Sequence, residues 1–249
     1  MPKITKILMD MPVTVEIGDS SVSDLDKIFD YFVAIDNRFS VYKPDSEISR
    51  YNQKKLSFFE LSRDMKQVLK LCDDTKKATH GYFDIRCPNG TIDPSGLVKG
   101  WAINSAANLI KSWGFKNYYV DAGGDIQVNG LNSLGKPWTI GIRHPQNRSQ
   151  NVKIVTIGDR GIATSGTYIR GQHVYDPFAS QKPITEIVGL TVIGPDIYEA
   201  DRFATAAFAM RDQALTFIST LVGFEAYSIN NRGIATFTPG FTQYVVENN

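Results

Sequence analysis

The sequence predicts an α+β fold: a single domain over residues 1–249, of mainly antiparallel sheet packed with helices. Three observations predict it. Helical and strand patterns fall in blocks and do not alternate regularly as β-α-β. Strand candidates follow one another closely after residue 116, as in hairpins. No linker rich in Pro, Gly or Ser divides the chain.

Each element has its own signal. Residues 5–18 alternate well enough for one strand or a broken pair. Residues 20–38 read as a helix, with Leu25, Ile28, Phe29, Phe32 and Val33 on one stripe and Ser23 as N-cap. Residues 39–52 form a loop with a short helical turn, begun by Pro44 and Asp45. A second helix covers 62–80, with Met65, Val68, Leu69 and Cys72 inward and Gly81 as its stop. A third spans 98–113 and ends at Gly114. Strands are expected at 116–121, 124–129, 137–143, 152–157, 160–165 and 187–193. Helices at 198–210 and 212–222 come next, then a meander of 224–229, 233–238 and 241–246.

Bulk composition removes several function classes. The 27 Lys and Arg balance 26 Asp and Glu, so no broad basic field points to nucleic acid. Two cysteines, Cys72 and Cys87, cannot build a metal-thiolate site or a disulfide scaffold. The first residues hold no long apolar run and no lipidatable Cys, and nowhere do about 18 apolar residues run together, so no transmembrane segment is expected. A natural start at Met1 places the protein in the cytoplasm. A trimmed N-terminus would allow an extracytoplasmic lipoprotein.

The run Asp121-Ala122-Gly123-Gly124-Asp125 lies between two strand candidates. Paired glycines there suit positive φ or a backbone passing close to a ligand. The segment Ala200-Asp201-Arg202-Phe203-Ala204-Thr205 puts Asp201 and Thr205 one helical turn apart on one face. Their oxygens can serve a hard cation such as Mg²⁺. They equally suit a first-turn acid and a back-bonded hydroxyl. In DPSGLVKG (93–100), Gly96 and Gly100 bracket Lys99 at a helix start. That pattern fits an anion site or close packing, and it lacks the spacing of a P-loop.

Of the three histidines, His80 ends a helix, His144 precedes a Pro in a turn, and His173 lies in GQHVYDP. His173 is the candidate base. With no His/Cys cluster a zinc site is not expected. A triad of Ser165, His173 and Asp176 is conceivable, without a GxSxG elbow. Tyr42 is a loop aromatic able to stack on a flat ring or to pack ordinarily.

Seven ordered blocks resemble one family, the ApbE family of FAD:protein FMN transferases. MPVTVEI (11–17) is similar to its opening strand, and RFSVYKPDSEISRYN (38–52) to its F-S-x-Y-x-P-x-S-E-I-S block. GYFDI (81–85), DPSGLVKGWAIN (93–104), DAGGDIQVNG (121–130), ATSGTYIR with HVYDP (163–177), and ADRFATAAFAM (200–210) follow in the family's order. The resemblance implies an ApbE-like, T-fold-related domain. It implies cleavage of FAD and transfer of FMN, through a phosphoester, to a threonine of a target flavoprotein, with AMP released. The alternative is FAD binding, or hydrolysis to FMN and AMP, without protein modification.

Carried over by the resemblance, Mg²⁺ is held by Asp201, Thr205 and the carbonyl of Val98. Asp201 and His173 are catalytic. Met11, Ser40, Tyr42, Asp93, Lys99, Gly123, Gly124, Thr164, Ser165 and His173 line the FAD site, with Tyr42 against the isoalloxazine ring. Six positions depart from the family pattern: Ser95, Val98, Asn104, Asp121, Arg202 and Phe203. They bear on substrate preference more than on the metal oxygens.

Overall fold

The computed structural model describes residues 1–18, 20–147, 149–166, 174–178 and 183–246. The chain runs β1 (Lys3–Leu8), β2 (Met11–Ile17), α1 (Val22–Phe39), α2 (Glu47–Asn52), α3 (Arg63–Ala78), α4 (Ser95–Ser112), β3 (Tyr118–Ala122) and β4 (Asp125–Asn129). It continues through β5 (Trp138–Arg143), β6 (Asn151–Ile157), β7 (Gly161–Gly166), β8 (Ile187–Gly194), α5 (Ile197–Ala209), α6 (Ala214–Ser219), β9 (Glu225–Asn230) and β10 (Ala235–Phe237). Short 3-10 helices stand at Phe58–Glu60, Arg211–Gln213 and Pro239–Tyr244.

Eight strands form one sheet in the order β1-β2-β3-β4-β7-β8-β9-β10, and β5 pairs with β6 in a second. All these pairings are antiparallel. The expected α+β architecture is therefore present. The broken-pair reading of 5–18 holds, because Met9 and Asp10 both take positive φ and close a two-residue hairpin turn.

Period-2 alternation sends side chains to two cores. Val13, Val15, Val120, Ala163 and Val192 meet the helices on one face. On the other, Ile126, Val128, Ile162 and Ile193 meet Trp138, Ile140, Ile142 and Val155 of the small sheet, with Phe241. The β3–β4 turn sits on the rim shared by the two layers.

Several boundaries differ from expectation for physical reasons. Ser21, not Ser23, caps α1: Asp24 Oδ2 accepts from its backbone N–H at 3.1 Å, and its extended backbone leaves Ser23 inside the first turn. Val33 is exposed, and the stripe continues through Ile35 and Phe39. The α4 helix starts at Ser95, since the Pro94 carbonyl accepts from the Leu97 and Val98 N–H groups. Gly100 is thus in its second turn and is no free N-terminal donor. Residues 212–222 split into a 3-10 turn and the short α6. Residues 241–246 are not a strand, because Pro239 opens a 3-10 helix and only the bridge of Val245 to Val155 remains.

Two glycines seat α5. A Cβ at Gly161 would lie 2.1 Å from the Ile197 nitrogen, and one at Gly100 would lie 2.6 Å from Asp201 Cβ. Gly161→Ala and Gly100→Ala should each lower unfolding free energy by about 2–3 kcal/mol. Gly158→Ala, with nothing near its Cβ position, should stay within about 0.5 kcal/mol of the parent. Urea denaturation midpoints of the three variants measure the difference.

Candidate active site

The α4–α5 contact gathers the first group of polar atoms. Asp201 is 3% exposed, and its Oδ2 accepts from the Gly100 N–H at 2.7 Å. One turn on, the Thr205 hydroxyl reaches the Gly96 carbonyl at 3.4 Å. The pair expected to share a helix face therefore does so, and that face lies against the first turns of α4. Val98 is buried in those turns, but the carbonyl beside Thr205 belongs to Gly96.

Lys99 joins this group to the sheet. Its ammonium pairs with Asp125 and lies 3.6 Å from Asp201 Oδ1. Asp125 is 2% exposed, and its Oδ1 accepts from the Thr164 N–H at 2.9 Å. Two buried carboxylates thus share one ammonium. Asp125 is not among the site residues expected from the sequence. Its signal was there, since alternation along β4 sends Asp125 toward the helices with Gln127, whose Oε1 accepts from the Ile197 N–H at 2.8 Å.

The β3–β4 turn is held from within. Asp121 Oδ1 accepts from the Gly124 N–H at 2.7 Å, and Oδ2 accepts from the Tyr119 hydroxyl at 3.0 Å. Gly123 and Gly124 have φ of 67° and 98°. Gly123 also needs its bare Cα, because an added Cβ would lie 3.0 Å from Met11 Sδ. Gly124 has open space there, so backbone conformation alone selects glycine.

Beside this turn opens a cleft of about 310 Å³, bounded by Tyr119, Asp121, Gly123 and Thr164 on the main sheet and by Thr139 and Arg143 on β5. Of the expected site residues, Gly123, Gly124 and Thr164 line it. Thr164 also shares a hydrogen bond with Thr191 at 2.9 Å. Met11 underlies the turn.

Other expected residues stand elsewhere. Ser40 caps α1, and its carbonyl accepts from Ser46 Oγ at 2.7 Å. Tyr42 is 87% exposed, with no packing partner for its ring among the described residues. Asp93 accepts from the Ser95 N–H at 2.9 Å, so the α4 terminus already carries a carboxylate. Ser165 is buried within β7, in a strand and not at an elbow, which leaves it poorly placed as a nucleophile. His173 lies outside the described residues. His144 Nδ1 accepts from the Gln146 and Asn147 N–H groups and shapes its turn.

Two departures from the family pattern have structural explanations. The Arg202 guanidinium bonds Glu199 and Thr75 and stacks 5.1 Å from the Tyr198 ring, against α3. Phe203 packs edge-on to Phe224 in the core.

The donor set fits a hard cation. Among the described residues no three His, Cys, Asp or Glu side chains gather as a ready cage. Asp201, Thr205 and the Gly96 carbonyl offer oxygen only. Mg²⁺ favours such partial protein ligation, completed by water and phosphate oxygens.

Comparisons place the fold and the family among known proteins. The flavin transferase ApbE of Vibrio cholerae superposes with a TM-score of 0.84 at 22% identity, covering 98% of this chain and 99% of that one. The ApbE protein of Thermotoga maritima gives 0.87 at 19% identity, covering 99% of each. The fold is therefore the one shared by these ApbE structures. The ApbE family model matches residues 9–89 and 85–228, and the chain belongs to the ApbE family. The FAD:protein FMN transferase of Vibrio cholerae serotype O1 is 26% identical over 256 residues, covering 79% of this chain and 76% of that protein. That of Klebsiella pneumoniae is 32% identical over 171 residues, covering 64% of this chain and 49% of that one. The match thus spans about half of the Klebsiella protein.

The Asp121 carboxyl titrates above its ordinary value of 3.8, chiefly because it is buried; the Gly124 and Tyr119 hydrogen bonds pull it back, and the Asp125 charge adds to the rise. A raised folded-state pKa means the folded chain holds this proton more tightly than the unfolded one. Ionised Asp121 therefore costs stability above its folded pKa, and the cost fades as pH falls toward 3.8. Asp121→Asn should raise Tm at neutral pH, with the gain vanishing as pH falls toward 3.8. Thermal melts across that range check both.

Proposed function

We propose that the chain cleaves FAD at its pyrophosphate and transfers FMN to a threonine hydroxyl of a target flavoprotein, releasing AMP. The observation that carries this reading is the oxygen face of buried Asp201 and half-buried Thr205 set against α4, linked through Lys99 to Asp125, which lines the cleft at the β3–β4 turn. Membership of the ApbE family and the FAD:protein FMN transferases among its relatives support it.

In this reading Asp201 and Thr205 hold Mg²⁺ with a backbone carbonyl of the α4 turn, from Val98 or Gly96. Bound there, the ion supplies electrostatic stabilisation of pyrophosphate charge. The chain's own groups do the rest. Gly123 and Gly124 give the diphosphate a wall without side chains. Lys99, held by Asp125, places positive charge beside the cleft without filling the Asp201 locus. Met11, Ser40, Tyr42, Asp93, Thr164 and Ser165 are proposed to shape the FAD site, with Tyr42 closing on the flavin ring when it binds. A bond forms between the acceptor threonine Oγ and the FMN phosphorus as the pyrophosphate P–O bond breaks. AMP leaves with that electron pair, and the threonine proton passes to the His173 imidazole.

Incubation with FAD, Mg²⁺ and a threonine-bearing flavoprotein domain should yield an FMN mass adduct and AMP. FMN and AMP without an adduct would favour hydrolysis instead. Asp201→Ala should lower Mg²⁺-dependent turnover at least ~100-fold while the far-UV circular dichroism spectrum stays native. Turnover that survives at low Mg²⁺ would remove Asp201 from the metal site. His173→Ala should depress transfer far more than FAD affinity.

Asp125→Asn tests the shared ammonium. Without the Asp125 charge, the Lys99 ammonium that now lies 3.6 Å from Asp201 Oδ1 would pair with Asp201 alone, and Mg²⁺ affinity in calorimetry should fall about tenfold. Adding Lys99→Met should restore it; an unchanged affinity in Asp125→Asn would refute the coupling.

A further inference from the structure

Between α2 and α3 the chain makes a raised turn that no part of the proposed reaction uses. Phe58 and Phe59 project from it, 49% and 88% exposed, as an edge-on pair with centroids 6.2 Å apart. Single exposed apolar side chains are ordinary, but adjacent aromatic rings at the tip of a turn expose a contiguous apolar surface. The turn is built to hold them out. Leu56 and Leu61 anchor its two sides in the core. Glu60 accepts from both the Ser57 N–H, at 2.8 Å, and the Ser57 hydroxyl, at 2.7 Å.

The segment that carries the rings is rich in cations. Arg50, Lys54, Lys55 and Arg63 are exposed, and none forms an ion pair with a described residue. Lys66 donates to the Phe59 carbonyl at 2.8 Å and lies 5.9 Å from the Phe58 ring centroid. The Lys55 N–H donates to the Arg50 carbonyl at 2.9 Å, which fixes the backbone at the base of the turn. The two acids of the segment are already engaged. Asp64 pairs with Arg38, and Glu60 is bound by Ser57, which with the Arg50 charge holds its carboxyl below the usual range.

We infer that this turn docks the protein on an anionic lipid surface, with Phe58 and Phe59 in the acyl–headgroup boundary and Arg50, Lys54, Lys55, Arg63 and Lys66 against lipid phosphates. Charge complementarity selects this occupant. Aromatic rings flanked by basic side chains match the amphipathic depth profile of a bilayer surface. The convex tip enters lipid without needing a preformed pocket. Among the described residues no helix is long and apolar enough to cross a membrane, so the contact is peripheral.

Vesicle co-sedimentation tests the inference independently of flavin chemistry. The whole chain should sediment with vesicles of phosphatidylcholine containing about one-third phosphatidylglycerol, and not with phosphatidylcholine alone. Raising salt to ~0.5 M should release it. The double variant Phe58→Ser/Phe59→Ser should bind about tenfold or more weakly with an unchanged melting curve, since both side chains are exposed. Lys54→Glu/Lys55→Glu should lose binding through charge alone. Phe59→Trp should blue-shift its emission on anionic vesicles. Wild-type protein that ignores anionic vesicles, or binding untouched in both double variants, overturns the inference and leaves the surface to an acidic protein partner.

Discussion

The close approach of α4 and α5 is the constraint on which the site depends. Gly96 and Gly100 strip side chains from one stripe of α4, and Asp201 and Thr205 enter the space they leave. A carboxylate buried to this degree is costly unless hydrogen-bonded and countercharged. The Gly100 N–H supplies the first and Lys99 the second. Lys99 is in turn shared with Asp125, which Thr164 orients from β7. One helix–helix contact thereby fixes polar groups on four elements.

Local signals in the sequence carried most of the fold. Apolar spacing marked α1 and α3, and paired glycines marked the β3–β4 turn. Where reading failed, two local solutions competed. Ser21 and Ser23 are both plausible caps, and only the backbone at Ser21 decides. Residues 241–246 alternate like a strand, yet Pro239 commits the segment to a tight helical turn. The site was legible in its residue types and less so in its geometry. Asp201 meets Gly100 across 101 positions, a separation at which local pattern is silent. Asp121 and Asp125 look equivalent in sequence, but they face opposite duties. Asp121 folds its own turn, and Asp125 faces the helices and holds Lys99.

Helix geometry also explains how neighbouring residues on α5 diverge in role. Asp201 and Thr205 face α4, Arg202 faces α3, and Phe203 enters the core near Phe224. A bulky, charged residue next to the Asp201 carboxylate is accommodated because it points about a quarter-turn away. Sequence differences at 202 and 203 are therefore absorbed by packing and leave the oxygen face unaltered.

The two walls of the cleft belong to different sheets. Among the described residues no strand ladder joins β5 to β4 or β7, and the Trp138 indole N–H donates to the Asn129 carbonyl at 3.1 Å. The spacing between walls is set instead by Ile140, Ile142, Ile126 and Ile162, stacked beneath the opening. These aliphatic side chains act as shims. Adding or removing a methylene among them changes the aperture while leaving every polar group on its rim chemically the same, so the width of the cleft and the polarity of its rim are governed by separate sets of residues.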